Sequence, residues 1–346
     1  MQTDQALYVT DYGGAYLGDA AELLAMLADD SVDLVLTSPP FALQREKSYG
    51  NVDQAEYVDW LLAFCREVYR ILKPRGSFVI DLGGAYQKGR PVRSLYNYRL
   101  LIRLCDELNF RLAEEFFWHN PAKLPSPIEW VNKRKLRAKD SVDTIWWLSK
   151  EDYPKADVTR VLVPYSDRMR KLQSNPEGYY QAKMRPSGHD IGKGFATTNA
   201  GAIPSNLLQI ANTESNSQYL RRCKAVETPA HPARFPQKLP AFFIDFLTDP
   251  GDTVLDIFAG SNTTGAAAEA AKRRWIAFER DRPFLAASAF RFVPTGMSEE
   301  DAHLLHQTLM TSQSTTRLRP PMEATASLFE LVPRQHVAAA EAQAAG

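Results

Sequence analysis

Short apolar runs alternate with amphipathic stretches over the first 150 residues and again from about residue 228. Runs bounded by turn residues are typical of buried strands, whereas apolar residues three and four positions apart indicate helices. The runs predict strands at 16–20, 32–36, 77–82, 110–119, 143–149, 253–258 and 274–278. The spacing predicts helices at 21–28, 54–72, 95–108 and 266–271. Strands that alternate with helices indicate an α/β fold with a doubly wound, mostly parallel sheet.

The chain changes character in two other regions. Between 151 and about 227 the hydrophobic periodicity fades, and Ser, Asn, Gln, Pro and Gly dominate. From about residue 312 the chain is rich in Ala, Pro and Gln, and we expect a frayed tail. No apolar run is long enough to span a membrane, and the N-terminus resembles no secretion signal. These features predict a cytoplasmic protein.

The strand at 32–36 leads directly into Thr37-Ser38-Pro39-Pro40-Phe41. Pro39 has no backbone N–H, and Pro40 forces Pro39 into an extended conformation. The local carbonyls and the Ser38 hydroxyl can therefore accept hydrogen bonds from a ligand amine, and Phe41 offers a flat face for stacking. A planar heterocycle with an exocyclic amino group would satisfy all of these groups. The alternative is a strand that leaves the sheet through a proline turn.

A second motif lies more than 200 residues further along. The strand at 253–258 leads into Ala259-Gly260-Ser261-Asn262-Thr263-Thr264-Gly265, and an Ala-rich helix follows. Backbone N–H groups at such a turn and helix N-terminus can hold a carboxylate or phosphate. Glu279 stands at the end of the next strand, where an acid typically binds ribose hydroxyls. The turn is not G-x-G-x-x-G, so a dinucleotide is the weaker interpretation.

Together the two motifs resemble the catalytic and cofactor motifs of S-adenosylmethionine-dependent DNA amino-methyltransferases. More closely, they resemble the N4-cytosine enzymes of bacterial restriction–modification systems. The stretch 231–240, HPARFPQKLP, matches a further cofactor motif of that family. The catalytic motif precedes the cofactor motif, which is the order of the circularly permuted class called β. The resemblance implies a Rossmann-like methyltransferase fold, S-adenosylmethionine as cofactor and double-stranded DNA as partner.

The resemblance also assigns roles to individual residues, none of them to a metal. The implied catalytic residues are Ser38, Pro39, Pro40, Phe41 and Asp81. Asp81 would orient Ser38 or take up the released proton; alternatively, it only makes a structural hydrogen bond to the glycine turn after its strand. In the cofactor site, Glu279 would hold the ribose and Asp19 the adenine amine. The other implied cofactor residues are Thr37, Phe235, Lys238, Asp256, Phe258, Ala259, Gly260, Ser261, Asn262 and Thr263.

The identity of the target base rests on Ser38. Adenine enzymes more often carry Asp or Asn at this position, so serine favours N4-cytosine and leaves N6-adenine methylation as the alternative. Methylation at cytosine C5 needs a cysteine nucleophile after a proline, whereas Cys65, Cys105 and Cys223 follow Phe, Leu and Arg. These cysteines form no metal or disulfide pattern, and we expect buried packing. A DNA-binding protein without catalysis and a nucleotide-dependent oxidoreductase are further alternatives.

DNA contacts are predicted from the distribution of charge, since the net charge is zero. Two basic runs are candidates for phosphate contacts, with ordinary solvated loops as the alternative. The candidate residues are Lys133, Arg134, Lys135, Arg137, Lys139, Arg221 and Arg222. The polar residue types of 151–227 are those that read base edges in a groove, although a passive insertion would share this composition.

These interpretations divide the chain into four regions. They are a catalytic half at 1–150, a target-recognition region at 151–227, a cofactor-binding half at 228–311 and a flexible tail at 312–346. The two halves form one methyltransferase domain, which we expect to act as a monomer or a homodimer. The resemblance also implies a cognate restriction endonuclease that acts on the same DNA site without stable binding.

Overall fold

The computed structural model describes residues 5–41, 56–175, 199–213 and 217–318, together with the backbone of 329–332. These residues form one 11-stranded sheet. Its strands are β1 (Tyr8–Val9), β2 (Gly13–Leu17), β3 (Val32–Thr37), β4 (Leu72–Leu82), β5 (Arg111–His119), β6 (Val142–Ser149), β7 (Leu207–Gln209), β8 (Thr253–Asp256), β9 (Arg274–Glu279), β10 (Thr315–Leu318) and β11 (Phe329–Val332). The helices are α1 (Ala20–Ala25), α2 (Tyr57–Ile71), α3 (Tyr96–Asp106), α4 (Asp167–Ser174), α5 (Gln218–Ala225), α6 (Lys238–Leu247), α7 (Thr263–Ala270), α8 (Arg282–Ser288) and α9 (Glu299–Thr311).

The order of strands across the sheet joins the two distant motifs. The order is β11-β10-β1-β2-β9-β8-β3-β4-β6-β5-β7, and the five strands from β2 to β4 in this order are all parallel. β3, which leads into the Ser-Pro-Pro motif, pairs directly with β8, which leads into the glycine loop. Ligands of open parallel sheets bind beyond the carboxyl ends of the strands. The predicted doubly wound, mostly parallel sheet is confirmed.

Helices cover both faces of the sheet because the central strands are apolar on both sides. Side chains alternate along a strand, so Leu34 and Leu36 join one core and Val35 joins the other. The first core contains residues of α5, α6, α8 and α9, whereas the second contains residues of α1, α2 and α3. Continuous apolar runs are typical of such doubly covered parallel strands.

The start of β4 differs from the predicted strand at 77–82, since residues 73–76 also belong to it. The strand begins at Leu72, directly after α2, and includes these residues. Its register against β3 shifts, because Val32 pairs with Leu72 while Leu34 already pairs with Ser77. Residues 73–76 thus form an irregularity within β4. It accommodates Pro74 and Gly76, and the pairing with β3 continues on both sides.

The prediction of a frayed tail from residue 312 is wrong for Thr315–Leu318. This segment is β10, which pairs in parallel with β1. Thr315 Oγ1 donates to the carbonyl of Ala6 at 2.7 Å, and the Thr316 N–H donates to that of Leu7 at 3.0 Å. β10 also pairs with β11, while 319–328 and 333–346 lie outside the described residues.

The polar region at 151–227 is only partly separate from the main domain. β7 extends the sheet by pairing with β5, and α5 places Tyr219 and Cys223 in a core. The compositional change at 227 therefore does not coincide with a structural boundary. Residues 176–198 of this polar region lie outside the described residues, and so do 214–216. Within the described parts of the chain, no helix is long and apolar enough to cross a membrane.

Candidate active site

The carboxyl ends of β2, β9, β8, β3 and β4 open onto one cavity of about 820 Å³. Most of the predicted site residues line it, as the sheet order requires. The predicted residues on its surface are Asp19, Ser38, Pro39, Pro40, Phe41, Asp81, Phe235, Phe258, Ala259, Gly260, Ser261, Thr263 and Glu279. Residues that are far apart in the sequence thus share one crevice, and their individual roles remain predictions.

Ser38 and Asp81 meet at one side of this cavity, which is called the target side below and also includes Phe41 and Asp143. The Ser38 hydroxyl donates a hydrogen bond to Asp81 Oδ2 at 3.3 Å. These two predicted catalytic residues therefore link the end of β3 to the end of β4. Asp81 Oδ1 is buried and has no hydrogen-bond partner among the described residues. Burial, followed by repulsion from Asp143, raises the pKa of Asp81 well above its ordinary value. The carboxylate is therefore a stronger base than an exposed aspartate and has an oxygen available to a ligand.

Gly83 leaves space for the Phe41 ring beside this pair, because glycine has no side chain. A Cβ at Gly83 would lie 2.4 Å from Phe41 Cε2 and 2.8 Å from Asp143 Oδ1. Tyr96 donates a hydrogen bond to the Gly83 carbonyl and fixes the backbone there. The local sequence thus leaves the ring room to face the cavity, where it can stack on a flat ligand.

Glu279 and the glycine loop form the opposite wall. Glu279 Oε2 accepts the Gly260 N–H at 2.9 Å, and Oε1 accepts the Asp281 N–H at 2.9 Å. Burial raises the pKa of Glu279, while these backbone hydrogen bonds lower it. Gly260 has a φ of 51°, and a Cβ there would lie 2.9 Å from the His231 ring. Both the backbone conformation and the close approach require glycine.

Three predicted cofactor residues lie behind this wall instead of on it. Asp256 is buried and accepts from Thr37 Oγ1 at 2.7 Å, from Thr264 Oγ1 at 2.6 Å and from the Phe258 N–H at 3.1 Å. Asn262 has a φ of 52°, caps α7 through the Gly265 N–H and donates to Tyr8 Oη. Their polar groups are occupied inside the protein. Thr37, Asp256 and Asn262 therefore position the two loops and do not line the cavity.

Two more predicted cofactor residues differ in their surroundings. Asp19 lines the cavity and also caps α1, because its Oδ1 accepts the Ala21 N–H at 2.8 Å. Lys238 is exposed at the start of α6 and lies outside the cavity lining. The structure thus brings Asp19 to the site and leaves Lys238 in solvent.

Several cavity residues were not predicted from the sequence. Trp60 and Phe64 lie one turn apart on α2 and pack against Phe258, which makes an aromatic wall. For this stretch the sequence predicted only a helix at 54–72. On the target side, Lys123 Nζ pairs with Asp143 Oδ1 at 3.2 Å. The other unpredicted members are Trp118, Asn120, Ser126, Asp140, Asn212, His231 and Arg234, among others.

Asp143 could have been found from the sheet, but not from the sequence pattern alone. β6 is antiparallel to β4, so its first residues lie at the same edge of the sheet as the last residues of β4. A parallel arrangement would have placed them at the opposite edge. His231 begins the stretch 231–240 that matches a cofactor motif. Its Nδ1 contacts the Ala233 carbonyl at 2.7 Å, and its ring lines the cavity.

The basic run beside the cavity is exposed from Lys133 to Lys139. Lys133 and Arg134 pair with Glu129 at 3.3 and 3.0 Å, and exposed ion pairs of this kind are weak. Arg137 donates to the Pro91 carbonyl, and Lys139 Nζ donates to the carbonyl of Lys123, a cavity residue. The end of the run at Lys139 therefore lies close to the cavity rim.

The prediction that Arg222 contacts DNA is wrong. Its side chain is only 6% exposed, and its guanidinium donates to the carbonyls of Phe290 and Pro294. Burial lowers the pKa of Arg222. On the amphipathic helix α5 this residue faces the core, whereas Arg221 is exposed. The hydrogen bonds of the Arg222 guanidinium thus link α5 to the segment after α8.

Comparison with known proteins supports the interpretation of this geometry. A family model described as DNA methylase, for the N6 and N4 enzymes, matches residues 32–290. The chain is 59% identical over 307 residues to the Type II methyltransferase M.PvuII of Proteus hauseri, with 89% of this chain and 91% of the relative covered. It is 29% identical over 288 residues to the Type II methyltransferase M.BamHI of Bacillus amyloliquefaciens, covering 81% of this chain and 57% of the relative.

A solved structure agrees with these sequence matches. The PvuII DNA methyltransferase, named as cytosine-N4-specific, superimposes with a TM-score of 0.74 at 50% identity. The alignment covers 90% of this chain and 97% of that structure. The predicted resemblance to DNA amino-methyltransferases, and to the N4-cytosine enzymes among them, is confirmed. The chain belongs to the N6/N4 DNA methylase family.

Proposed function

We propose that this protein is a Type II DNA methyltransferase that moves a methyl group from S-adenosylmethionine to the exocyclic N4 amine of a cytosine in double-stranded DNA. The observation that carries the proposal is the pair formed by Ser38 and the buried Asp81, which shares one cavity with Glu279. The relative with 59% identity is a Type II methyltransferase, and the similar solved structure is named as cytosine-N4-specific. Serine in the Ser-Pro-Pro motif favours cytosine over adenine.

The residues of the glycine-loop wall fit the cofactor. Glu279 places a buried carboxylate at the end of β9, where it can accept hydrogen bonds from ribose hydroxyls. The side chains of Trp60, Phe64 and Phe258 give an apolar surface for a purine ring. Gly260 keeps the loop backbone open beside His231. When bound, S-adenosylmethionine supplies an electrophilic methyl group on a sulfonium.

The target side of the cavity fits an amino-substituted pyrimidine. Cytosine N4 is a poor nucleophile because its lone pair is delocalised into the ring. The Ser38 hydroxyl and the Pro39 carbonyl accept the two amine hydrogens, which favours a tetrahedral nitrogen with an available lone pair. As the new N–C bond forms, the bond from the methyl carbon to the sulfonium sulfur breaks and S-adenosylhomocysteine leaves as a neutral thioether. One amine proton passes to Ser38 Oγ while the hydroxyl proton moves to Asp81 Oδ2. The raised pKa of Asp81 favours this transfer.

The cavity can receive the target base only outside the DNA helix. The N4 amine of a stacked, paired cytosine is inaccessible to Ser38, so the nucleotide must rotate out of the duplex. Phe41 then offers a stacking face in place of the lost neighbours. We expect Lys133, Arg134, Lys135 and Arg221 to contact phosphates, and the region 151–227 to read the sequence. A restriction endonuclease acting on the same site is the expected partner in the cell.

The product identifies the reaction. Purified protein is incubated with S-adenosylmethionine and unmethylated genomic DNA, and the DNA is digested to nucleosides for mass spectrometry. We expect N4-methylcytosine. N6-methyladenine as the sole product would overturn the cytosine assignment, and the absence of any methylated nucleoside would overturn the enzymatic function.

Two single substitutions test the division of the site. Glu279→Ala should weaken binding of S-adenosylhomocysteine by about 1.5–3 kcal/mol, because it removes charged hydrogen bonds. Ser38→Ala should reduce the rate of methyl transfer and leave that binding nearly unchanged. Calorimetry and single-turnover kinetics measure the two effects. An exchange of the two phenotypes would refute the proposed arrangement.

A further inference from the structure

An exposed leucine stands at the rim of the target side of the cavity. Leu124 is 80% exposed, and it lies between Lys123 and Ser126, which both line the cavity. Single exposed apolar residues are common on protein surfaces and carry no function by themselves. Leu124 differs because of its neighbours. Lys123 pairs with Asp143, whose charge acts on Asp81, and Lys139 of the basic run donates to the Lys123 carbonyl.

The segment that carries Leu124 is fixed by hydrogen bonds on both sides. The Lys123 N–H donates to the Asn120 carbonyl at 3.1 Å, and the Asp140 N–H donates to the Ser126 carbonyl at 3.0 Å. Lys139 Nζ contacts the carbonyls of Pro121 and Lys123 at 3.3 and 3.2 Å. Since Lys123 also pairs with Asp143, the backbone beneath Leu124 is tied to the cavity. The Leu124 side chain is left facing solvent.

The chemistry of the neighbouring surface specifies the partner. The exposed cations at 133–139 favour a polyanion, and the cavity itself requires a nucleotide that has left its stack. Extrusion of one nucleotide costs a few kcal/mol of stacking and leaves a gap lined by flat apolar base faces. Proteins that distort DNA often insert leucine or a similar apolar side chain between bases. A leucine at the entrance of the cavity matches that gap in polarity and position.

We propose that Leu124 enters the duplex and occupies the space left by the extruded target cytosine. This inference rests on the proposed function and adds the residue that stabilises the extruded state. Leu124 contacts the neighbouring bases, while Ser38, Asp81 and Phe41 contact the target. The residue therefore acts on the equilibrium of extrusion and not on the chemical step.

The experiment compares Leu124→Ala with wild type on two synthetic duplexes. Both contain a site that the wild-type enzyme methylates, and in the second the target cytosine faces a mismatched base. Because a mismatched base leaves the stack at lower cost, it depends less on the inserted side chain. We expect kcat/KM of Leu124→Ala to fall about tenfold or more on the matched duplex, and at most about twofold on the mismatched duplex. A fluorescent cytosine analogue at the target position should show correspondingly less unstacking in the complex with S-adenosylhomocysteine.

Two further variants serve as controls. Leu124→Met keeps a long apolar side chain and should restore most of the activity on the matched duplex. Leu304→Ala removes the same atoms from a leucine that is 54% exposed on α9, and α9 contributes none of the described cavity residues. It should behave as wild type on both duplexes.

The possible outcomes separate this inference from the proposed function. Equal activity of Leu124→Ala and wild type on the matched duplex would overturn the inference. An equal loss on both duplexes would also overturn it, because the residue would then serve general binding or folding. Failure of the wild-type protein to methylate any DNA would instead overturn the proposed function.

Discussion

Substitution of Gly83 by alanine tests whether the position of Phe41 controls the reaction. Gly83 follows β4, and its carbonyl is held by Tyr96, so the backbone cannot easily move away. The added Cβ would lie 2.4 Å from Phe41 Cε2 and 2.8 Å from Asp143 Oδ1. Both contacts are much shorter than ordinary van der Waals distances. The Phe41 ring must therefore move toward the space that we assign to the target base.

The magnitude follows from the size of this displacement. Ordinary Cβ contacts begin at 3.4 Å, so the ring has to shift by about 1 Å. Overpacking of this kind costs about 1–3 kcal/mol in a well-packed region. A misplacement of about 1 Å in a reacting assembly can reduce the rate by about 100-fold. We expect the rate of methyl transfer to fall by about 10- to 100-fold.

The assay is single-turnover methyl transfer from tritiated S-adenosylmethionine to duplex DNA, with thermal unfolding measured in parallel. Gly296→Ala is the matched control, because a Cβ there meets no atom within 4 Å. Binding of S-adenosylhomocysteine to Gly83→Ala should be close to that of wild type, since Gly83 lies on the target side. A wild-type rate in Gly83→Ala would refute the role given to Phe41. A loss confined to cofactor binding would show that Phe41 belongs to the other wall.

Three other predictions concern the glycine loop, the buried acid and the buried arginine. Gly260→Ala should weaken S-adenosylhomocysteine binding about 5- to 30-fold, as measured by calorimetry. The left-handed backbone at this position costs alanine about 1–2 kcal/mol, and the new Cβ would displace His231. Unchanged affinity would contradict the proposal that the glycine loop holds the cofactor. Because burial and Asp143 raise the pKa of Asp81, the single-turnover rate should fall as the pH drops through that raised value. Asp81→Asn should lower the rate but increase Tm near neutral pH, because the folded wild-type protein bears the cost of ionising this carboxyl there. A decrease in Tm of this variant near neutral pH would contradict the expected sign. Arg222→Met should lower the free energy of unfolding by about 1–3 kcal/mol, because the hydrogen bonds of the buried guanidinium are lost. It should not change how the DNA-binding constant depends on salt concentration. A weaker dependence on salt would show that Arg222 contacts a phosphate after all.

The central sheet was predictable because its sequence signal is local. β3 and β9 are short apolar runs that end in a polar residue, and their predicted bounds differ from the observed ones by one residue. The carboxyl ends of parallel strands meet at one edge, so the cavity followed from the strands that lead to it. Residues at the ends of these strands, such as Ser38, Asp81 and Glu279, were therefore found.

Features that depend on tertiary partners could not be found in this way. β10 is a mostly polar segment of four residues, and its pairing depends on β1 from the other end of the chain and on β11. Arg222 looks like a surface cation in the sequence, but α5 turns it toward carbonyls after α8. Asp143 came to the site through the antiparallel direction of β6, which no periodicity reveals.

The distinction between lining and supporting residues was equally hidden. The sequence motif placed Thr37, Asp256 and Asn262 with the cofactor residues because they are its neighbours in the chain. In the folded protein their side chains point into the structure and hold the loops together. A motif thus records a whole local structure, and only some of its members face the ligand.

The hydrogen bond between Thr37 and Asp256 joins parts of the sheet that are made at different times during synthesis. The two residues are 219 positions apart, and they join adjacent strands of the same sheet. At a translation rate of about 5–20 residues per second, Asp256 is made roughly 10–45 s after Thr37. Until then β3 lacks its neighbour β8 and presents unpaired backbone N–H and C=O groups along one edge, which is a hazard for aggregation. The order of the motifs along the gene therefore lengthens the interval in which the nascent chain depends on protection by the ribosome or chaperones.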